Sequence, residues 1–474
     1  MGNKLNAYTY VADDMIEIFD SFQVFVRNPG MEEIELIPWK VHVDMHDIRE
    51  AGTVSFDFEG TVEVRIICQE VVNEAVLRPL SRAIPITVEN REIRFQLQEP
   101  GNFSLEINGD RFHNLHIFAN PMETDIPDKS DSNVVYVTPG THVPADLYVP
   151  LCQPGKDTLY FAPGLHQIVS KNLSIPSGKR VYLEGGAAVC ARLVLHKVEN
   201  VKIFGRGNLY SYHEPWETHL HGIDLFLCKN IQIEGIIFLN PSGHSICVGE
   251  SEYVTIDSIK SFSCHGWTDG INFLSSSHCQ VRGVFMRNSD DCVTVYGTRL
   301  GSRGGCKDIL VEDSCLWADV AHPILIGTHG AYDADGDILE ELVFRNLDIL
   351  EHHEPQDNYL GCMAVNVGDG NTARNILFEN IRVEDYERGR LIDVRVFHNE
   401  KYNPLPGRMI ENVVFHNISY NGSCPIPSQI IGFDANRMVK NILFDHLIIN
   451  GKHVLSAEDA NMVIGDHVEK IEFT

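Results

Sequence analysis

The sequence predicts an all-β chain, a right-handed parallel β-helix preceded by a β-sandwich. Three observations carry this. A short apolar signature recurs at steps of roughly 23 to 37 residues, the spacing of a solenoid. Within each copy apolar and polar residues alternate, the period of a strand with one buried face, and helical periodicity is nearly absent. Ahead of the repeats the pattern changes to alternating strands separated by turn residues, as in an antiparallel sandwich.

The strand-like runs of the first part cover residues 22–26, 54–58, 62–66 and 93–97, and the pattern ends near Asn120-Pro121. The polar stretch through Asp125, Pro127, Asp128, Lys129, Ser130 and Asp131 reads as a linker. The segments 134–140 and 159–164 then read as the cap and first coils. The expected division is a sandwich over 1–122, a linker over 123–133 and a catalytic β-helix over 134–474. The repeat signatures begin at Val201, Ile231, Val254, Cys279, Ile309, Leu342, Ile376, Val413 and Ile442, most of them after Asn, Asp or another polar residue. Stacked coils of short strands pair their backbones and bury a continuous apolar cylinder. Unequal steps place loops of unequal length on one face, where binding gathers.

A chain of 474 residues accommodates both units. The formal charge, 38 − 66 = −28, repels polyanions, so nucleic acid and anionic membranes are not expected partners. The start, Met1-Gly2-Asn3-Lys4-Leu5-Asn6, has no apolar h-region, and no run is long enough to span a membrane. The expectation is a soluble, cytoplasmic protein, a signal removed beforehand being invisible. Twelve cysteines with no Cys-x-x-Cys pair, mostly inside apolar strand patterns, read as buried thiols of a reducing compartment.

Trp267-Thr268-Asp269-Gly270 and Asn288-Ser289-Asp290-Asp291-Cys292 carry the chemistry. Asp290 follows Asp269 by 21 residues, less than one repeat step, so successive coils bring the two side by side. Neighbouring Asp290 and Asp291 would face opposite sides of a regular strand, and burying an unpaired carboxylate is costly. A bulge at Ser289-Asp290 that turns both outward is therefore expected. Clustered carboxylates repel, so one should hold a proton while its neighbours stay ionised, giving an acid and a base in one cleft. Such a pair hydrolyses glycosidic bonds, and two carboxylates on one water suit the same chemistry.

At these residues the chain resembles the polygalacturonase-like glycoside hydrolases of family 28, built on the pectin-lyase-like solenoid, and more distantly the dextranase and isopullulanase family 49. Those polygalacturonases read Asn-Thr-Asp, Asp-Asp-Cys, Gly-His-Gly and Arg-Ile-Lys. Trp267-Thr268-Asp269 matches the first except at its leading position, Asp290-Asp291-Cys292 matches the second, and Ala321-His322-Pro323 keeps the histidine of the third. The resemblance implies that Asp290 is the general acid, that Asp269 and Asp291 hold the nucleophilic water, and that configuration inverts. It gives His322 the task of supporting the acid's protonation or holding the sugar.

The fourth motif is missing. No Lys or Arg lies between Arg345 and Arg374, where the strand-like 361–367 runs uncharged. A uronate would lack its cationic clamp, so a neutral oligosaccharide or glycan is expected, with galacturonate oligomers the alternative and Arg395 a substitute cation. Trp267 and Tyr296 are aromatic candidates for the sugar face, with Asn288 and His329 as further substrate-binding candidates, while Trp317 reads as packing and Tyr332 lies near in sequence.

No cofactor and no metal are expected. Asp333-Ala334-Asp335-Gly336-Asp337 lacks the further ligands and helices of a calcium loop, and His352-His353-Glu354 lacks partners at zinc spacing. The expected partner is an oligosaccharide or polysaccharide substrate, and homo-oligomerisation stays open. A lyase or epimerase on the same fold would need a basic proton acceptor and a cation for the uronate. A purely binding solenoid would not need three mutually repelling acids.

Overall fold

Among the described residues thirty strands from Val134 to Phe473 form one sheet in which, apart from the antiparallel Lys452–His453, coil stacks on coil in parallel register, the right-handed β-helix expected from the repeat. The computed structural model describes residues 2–8, 10–211, 215–331 and 336–474. Register columns run the length of the solenoid. Ile203, Ile233, Ile256, Val281, Val311, Phe344, Phe378, Phe415, Phe444 and Phe473 stack one above another in the core. The five phenylalanines form a continuous ring stack with centroids 4.8–5.3 Å apart, close to the spacing of paired strands.

The polar residue before each apolar signature now has a physical reason. Asn200, Asn230, Tyr253, His278, Asp308, Glu341, Asn375, Asn412 and Asn441 all turn the chain in the left-handed region, with φ between 54° and 59°. Asn tolerates this conformation best among residues with a side chain. Its amide also bonds the next coil, Asn412 Nδ2 to Asn375 Oδ1 at 3.0 Å and Asn441 Nδ2 to Asn412 Oδ1 at 3.1 Å. At the N-terminal end the helix Pro144–Leu151 closes the cylinder by burying Leu147 and Leu151 against Val137 and Phe161. No helix among the described residues is long and apolar enough to cross a membrane. Most of the cysteines are buried.

The N-terminal part forms a six-stranded and a five-stranded sheet that face each other across a core containing Phe22, Val24, Phe56, Ile66, Phe95 and Phe103. Its strand Asp110–Pro121 is followed by the first solenoid strand at Val134–Val137. The sandwich lies along the outer face of the coils, where Val41 and Phe118 pack on Leu239, Phe262, Phe285, Trp317 and Leu350. Strands there are covered on both faces, which the alternation in sequence did not indicate.

Buried charges pin this contact. Arg287, with no exposed surface, holds Asp319 through Nη2–Oδ1 and Nε–Oδ2 bonds of 3.0 Å each, and donates Nη1–H to Asn114 Oδ1 at 2.8 Å. Burial and the Arg287 charge push His116 well below the usual histidine range, so its neutral Nε2, 2.9 Å away, accepts from the same guanidinium. Arg206 pairs with Asp57 at 2.9 Å, and Arg78 joins Glu106 to Glu384. Removing one member of a buried pair strands the other charge. Arg287→Ala is therefore expected to cost about 3–5 kcal/mol, read as a shift of the urea unfolding midpoint. A loss under about 1 kcal/mol, the range of an exposed pair, would contradict this account.

Candidate active site

Asp269, Asp290–Asp291 and His322 occupy the same bend of three successive coils. The bend links Lys260–Phe262 to Ile271–Leu274, Phe285–Ser289 to Val293–Tyr296, and Cys306–Val320 to Ile324–Ile326. Backbone bonds of 2.8 Å stitch the bends together, from Gly270 N–H to Asp291 O and from Cys292 N–H to His322 O. Gly270 is required by this closeness, since a Cβ there would stand 2.3 Å from the Cys292 carbonyl oxygen.

A bulge is present, but the extra residue is Asp319 on the following coil: Asn288 faces Ala318, whereas Ser289 faces Val320. The expectation that both carboxylates turn outward is corrected accordingly. Asp290 is half-buried at the mouth, while Asp291 is buried and turned to the next coil. Asp291 Oδ1 meets His322 Nδ1 at 2.6 Å and accepts the His322 backbone N–H at 3.2 Å, and Oδ2 accepts the Tyr296 hydroxyl at 3.1 Å. Among the described residues Asp290 accepts from backbone donors only, Trp267 N–H at 2.7 Å and Asp291 N–H at 3.2 Å. Asp269 Oδ2 accepts from Asn272 Nδ2 at 2.9 Å.

These surroundings set Asp290 apart from Asp269. Burial, then the charges of Asp269 and Asp291, push Asp290 well above the carboxylate range. Burial alone would raise Asp269 too, but neighbouring His244, Arg299 and Asn272 outweigh it and bring the group down to about 2. Burial opposes a charge on His322, yet Asp291 raises it to about 9. Its Nε2 also faces a carbonyl, that of Tyr359 at 2.8 Å, so the doubly protonated ring satisfies both sides.

Several expectations for sugar contacts are corrected by burial. His322 has no exposed surface and backs Asp291, so it holds a carboxylate and not a sugar. Tyr296 is likewise buried and lends its hydroxyl to Asp291. Asn288 lies beneath Gly270 and donates to Ser261 and Ser263, bracing the bend from inside. Arg395 is committed to Asp393 at 2.7 Å and to Asn366 at 3.0 Å. His329 sits half-buried, edge-on to Tyr296 at 5.0 Å, and burial with Arg299 lowers it to about 3, leaving it neutral. Trp267 is 56% exposed at the mouth, an open ring face. Trp317 is core. Tyr332 and Asp333–Asp335 lie outside the described residues.

The sequence reading missed Arg299. It looked for a cation on later coils, whereas Arg299 sits on the loop directly after Val293–Tyr296. Its guanidinium lies 4.9 Å from the Tyr296 ring centre and 5.6 Å from that of Trp267, and among the described residues it makes no ion pair. The sequence reading also passed over Trp216, which stacks on His265 with ring centres 6.1 Å apart and is exposed beside the same mouth. The sandwich reaches the site as well: Met45, between the strands Trp39–Val43 and Arg49–Glu59, donates its N–H to Ser289 Oγ at 3.1 Å. Its signal was absent from the sequence because the contact spans two separate folding units.

Outside the cleft, His416, Asp445 and His446 are of metal-ligand type. The carboxylate already closes on both Nδ1 atoms, at 2.7 and 2.5 Å, so the three form a complete staple between coils.

A family model described as glycosyl hydrolases family 28 matches residues 191–458, more than half of the chain. The chain is 26% identical over 223 residues to a probable exopolygalacturonase B of Aspergillus terreus, covering 42% of this chain and 48% of that protein. It is 24% identical over 216 residues to exopolygalacturonase B of Aspergillus niger, covering 41% and 47%. The chain thus spans about half the length of the curated relatives it matches. Among solved structures, Dex49A from Penicillium minioluteum shares the fold with a TM-score of 0.71 at 15% identity, over 99% of this chain and 96% of that one. A Yersinia enterocolitica family 28 exopolygalacturonase gives 0.51 at 11% identity, over 87% and 96%.

The His322–Asp291 pair predicts a pH dependence. A histidine raised from 6.5 to about 9 by folding stabilises fully below pH 6.5 and loses that contribution as pH rises through 9. The stability difference between wild type and His322→Gln should therefore narrow between these limits in urea titrations. A difference that widens over that interval would contradict the pairing.

Proposed function

The chain belongs to glycosyl hydrolases family 28, and from that premise we propose that it hydrolyses a glycosidic bond with inversion, with Asp290 as the acid. One observation carries the reading: Asp290 feels the charges of two carboxylates, Asp269 and Asp291, each with a histidine beside it, while among the described residues its own hydrogen bonds come from backbone donors. It keeps its proton while Asp269 stays ionised. Water gives a proton to Asp269 or Asp291 as its oxygen adds to the anomeric carbon. The bond to the leaving oxygen breaks, and that oxygen takes the proton of Asp290.

Arg299 favours a sugar acid at this site. A guanidinium without an ion-pair partner among the described residues, flanked by Trp267 and Tyr296, offers a fork for a carboxylate. The names of the exopolygalacturonase relatives agree, and a galacturonate oligomer is the substrate we propose. A neutral glycan is the second reading, favoured by the uncharged strand Gly361–Val367 and by the commitment of Arg395 to Asp393.

Asp290→Asn should lower kcat by about 10²–10⁴-fold on any substrate that is cleaved, with folding intact by circular dichroism. Proton NMR of the first product should show the anomer opposite to that of the substrate linkage, and the same anomer would exclude inversion. Arg299→Ala should cost about tenfold or more in kcat/KM on oligogalacturonates and little on neutral oligosaccharides. Cleavage of neutral oligosaccharides alone would reject the sugar acid.

A further inference from the structure

Asp269 and Asp291 each have a histidine beside them, but the two arrangements differ. His322 closes on Asp291 with a full hydrogen bond, whereas His244 Nδ1 stands 3.4 Å from Asp269 Oδ1 and among the described residues makes no closer polar contact. His244 is 2% exposed, so water does not readily satisfy that nitrogen. Its ring is fixed from the other side. His221 lies parallel to it, with centroids 4.7 Å apart and planes 8° from parallel, and His221 Nδ1 accepts the His244 backbone N–H at 3.0 Å. The backbone sets the same alignment, since Ser245 N–H donates to Asp269 O at 2.8 Å.

We propose that His244 is a positioning residue, which presents an Nδ1 proton to Asp269 and holds that carboxylate ionised and aimed at the attacking water. The role rests on the hydrolytic reading of Asp269. A buried nitrogen facing a carboxylate oxygen is stable there only as a donor, because two facing acceptors repel. The other groups facing Asp269 do not replace it. Asn272 donates to the second carboxylate oxygen, and Asp290 on the next coil, holding its proton, brings no charge. His221, Cys247, Tyr296 and His329 face it as groups held neutral by burial. Arg299 supplies charge, from the far wall and without a hydrogen bond.

The test uses the full-length protein with ¹³C-labelled aspartate carboxyls. The resonance that disappears in Asp269→Asn should titrate about one pH unit or more higher in His244→Gln than in wild type. The acidic limb of the kcat profile should move by the same amount, with kcat falling about tenfold and KM little changed. An unmoved resonance in a folded His244→Gln overturns the proposal, because a merely structural histidine would leave it in place. If that variant does not fold, the ¹⁵N shift of His244 Nδ1 in the wild type at pH 7 decides, a protonated nitrogen supporting the role and a bare one rejecting it. A resonance that moves in a protein that cleaves no glycan would retain the pairing and reject the hydrolytic reading instead.

Discussion

Parallel register between neighbouring coils is the constraint on which the site depends. Backbone bonds from Gly270 to Asp291 and from Cys292 to His322 hold equivalent bends about one strand spacing apart. Carboxylates that would repel each other in a flexible loop cannot move away. Gly270 makes the approach possible, and the bulge at Asp319 accommodates the bend beside it. The repulsion is then stored as a protonation difference, with the proton kept where no cation is in contact.

Burial and the neighbouring carboxylate charges decide where that proton sits. Asp269 and Asp291 each face an imidazole, and among the described residues Asp290 accepts from peptide N–H groups only. Tyr296 and Asn272 add single hydrogen bonds that favour the ionised outer pair. A low-dielectric bend amplifies each of these small asymmetries, so residues with little exposed surface govern the one carboxylate that reaches the mouth.

Much of this was legible in the chain. The repeat fixes the solenoid because a period of two within a longer step has few other folded solutions, and the spacing of Asp269 from Asp290 places them on adjacent coils. The left-handed bend explains why Asn375, Asn412 and Asn441 precede their strands, a link between residue type and φ that needs no tertiary information. Side-chain direction at the bend was not legible. Tyr296, Asn288 and His322 all stand near the aspartates in sequence, yet each points into the protein and serves a neighbouring carboxylate or coil. Arg299 escaped notice because it lies on a loop that no spacing rule relates to the bend, and His244 because the register, which places it one coil before Asp269, was not carried back from the aspartates. The contact of Met45 with Ser289 joins residues 244 apart, beyond any local pattern.

The sandwich also changes how the solenoid fails. In a bare stack each turn is held mainly by its two neighbours, so unwinding can start at an end and travel. Here Asp57 ties to Arg206 towards one end, and Arg78 ties to Glu384 much further along, with Arg287 between them. The sandwich is a splint laid across those turns. The last strands, Met409–Tyr420, Val439–Ile449 and Val468–Phe473, extend beyond these ties. Fraying that begins there reaches the splinted stretch before it reaches the reactive bend, so the end of the spiral can loosen while the chemistry stays in register.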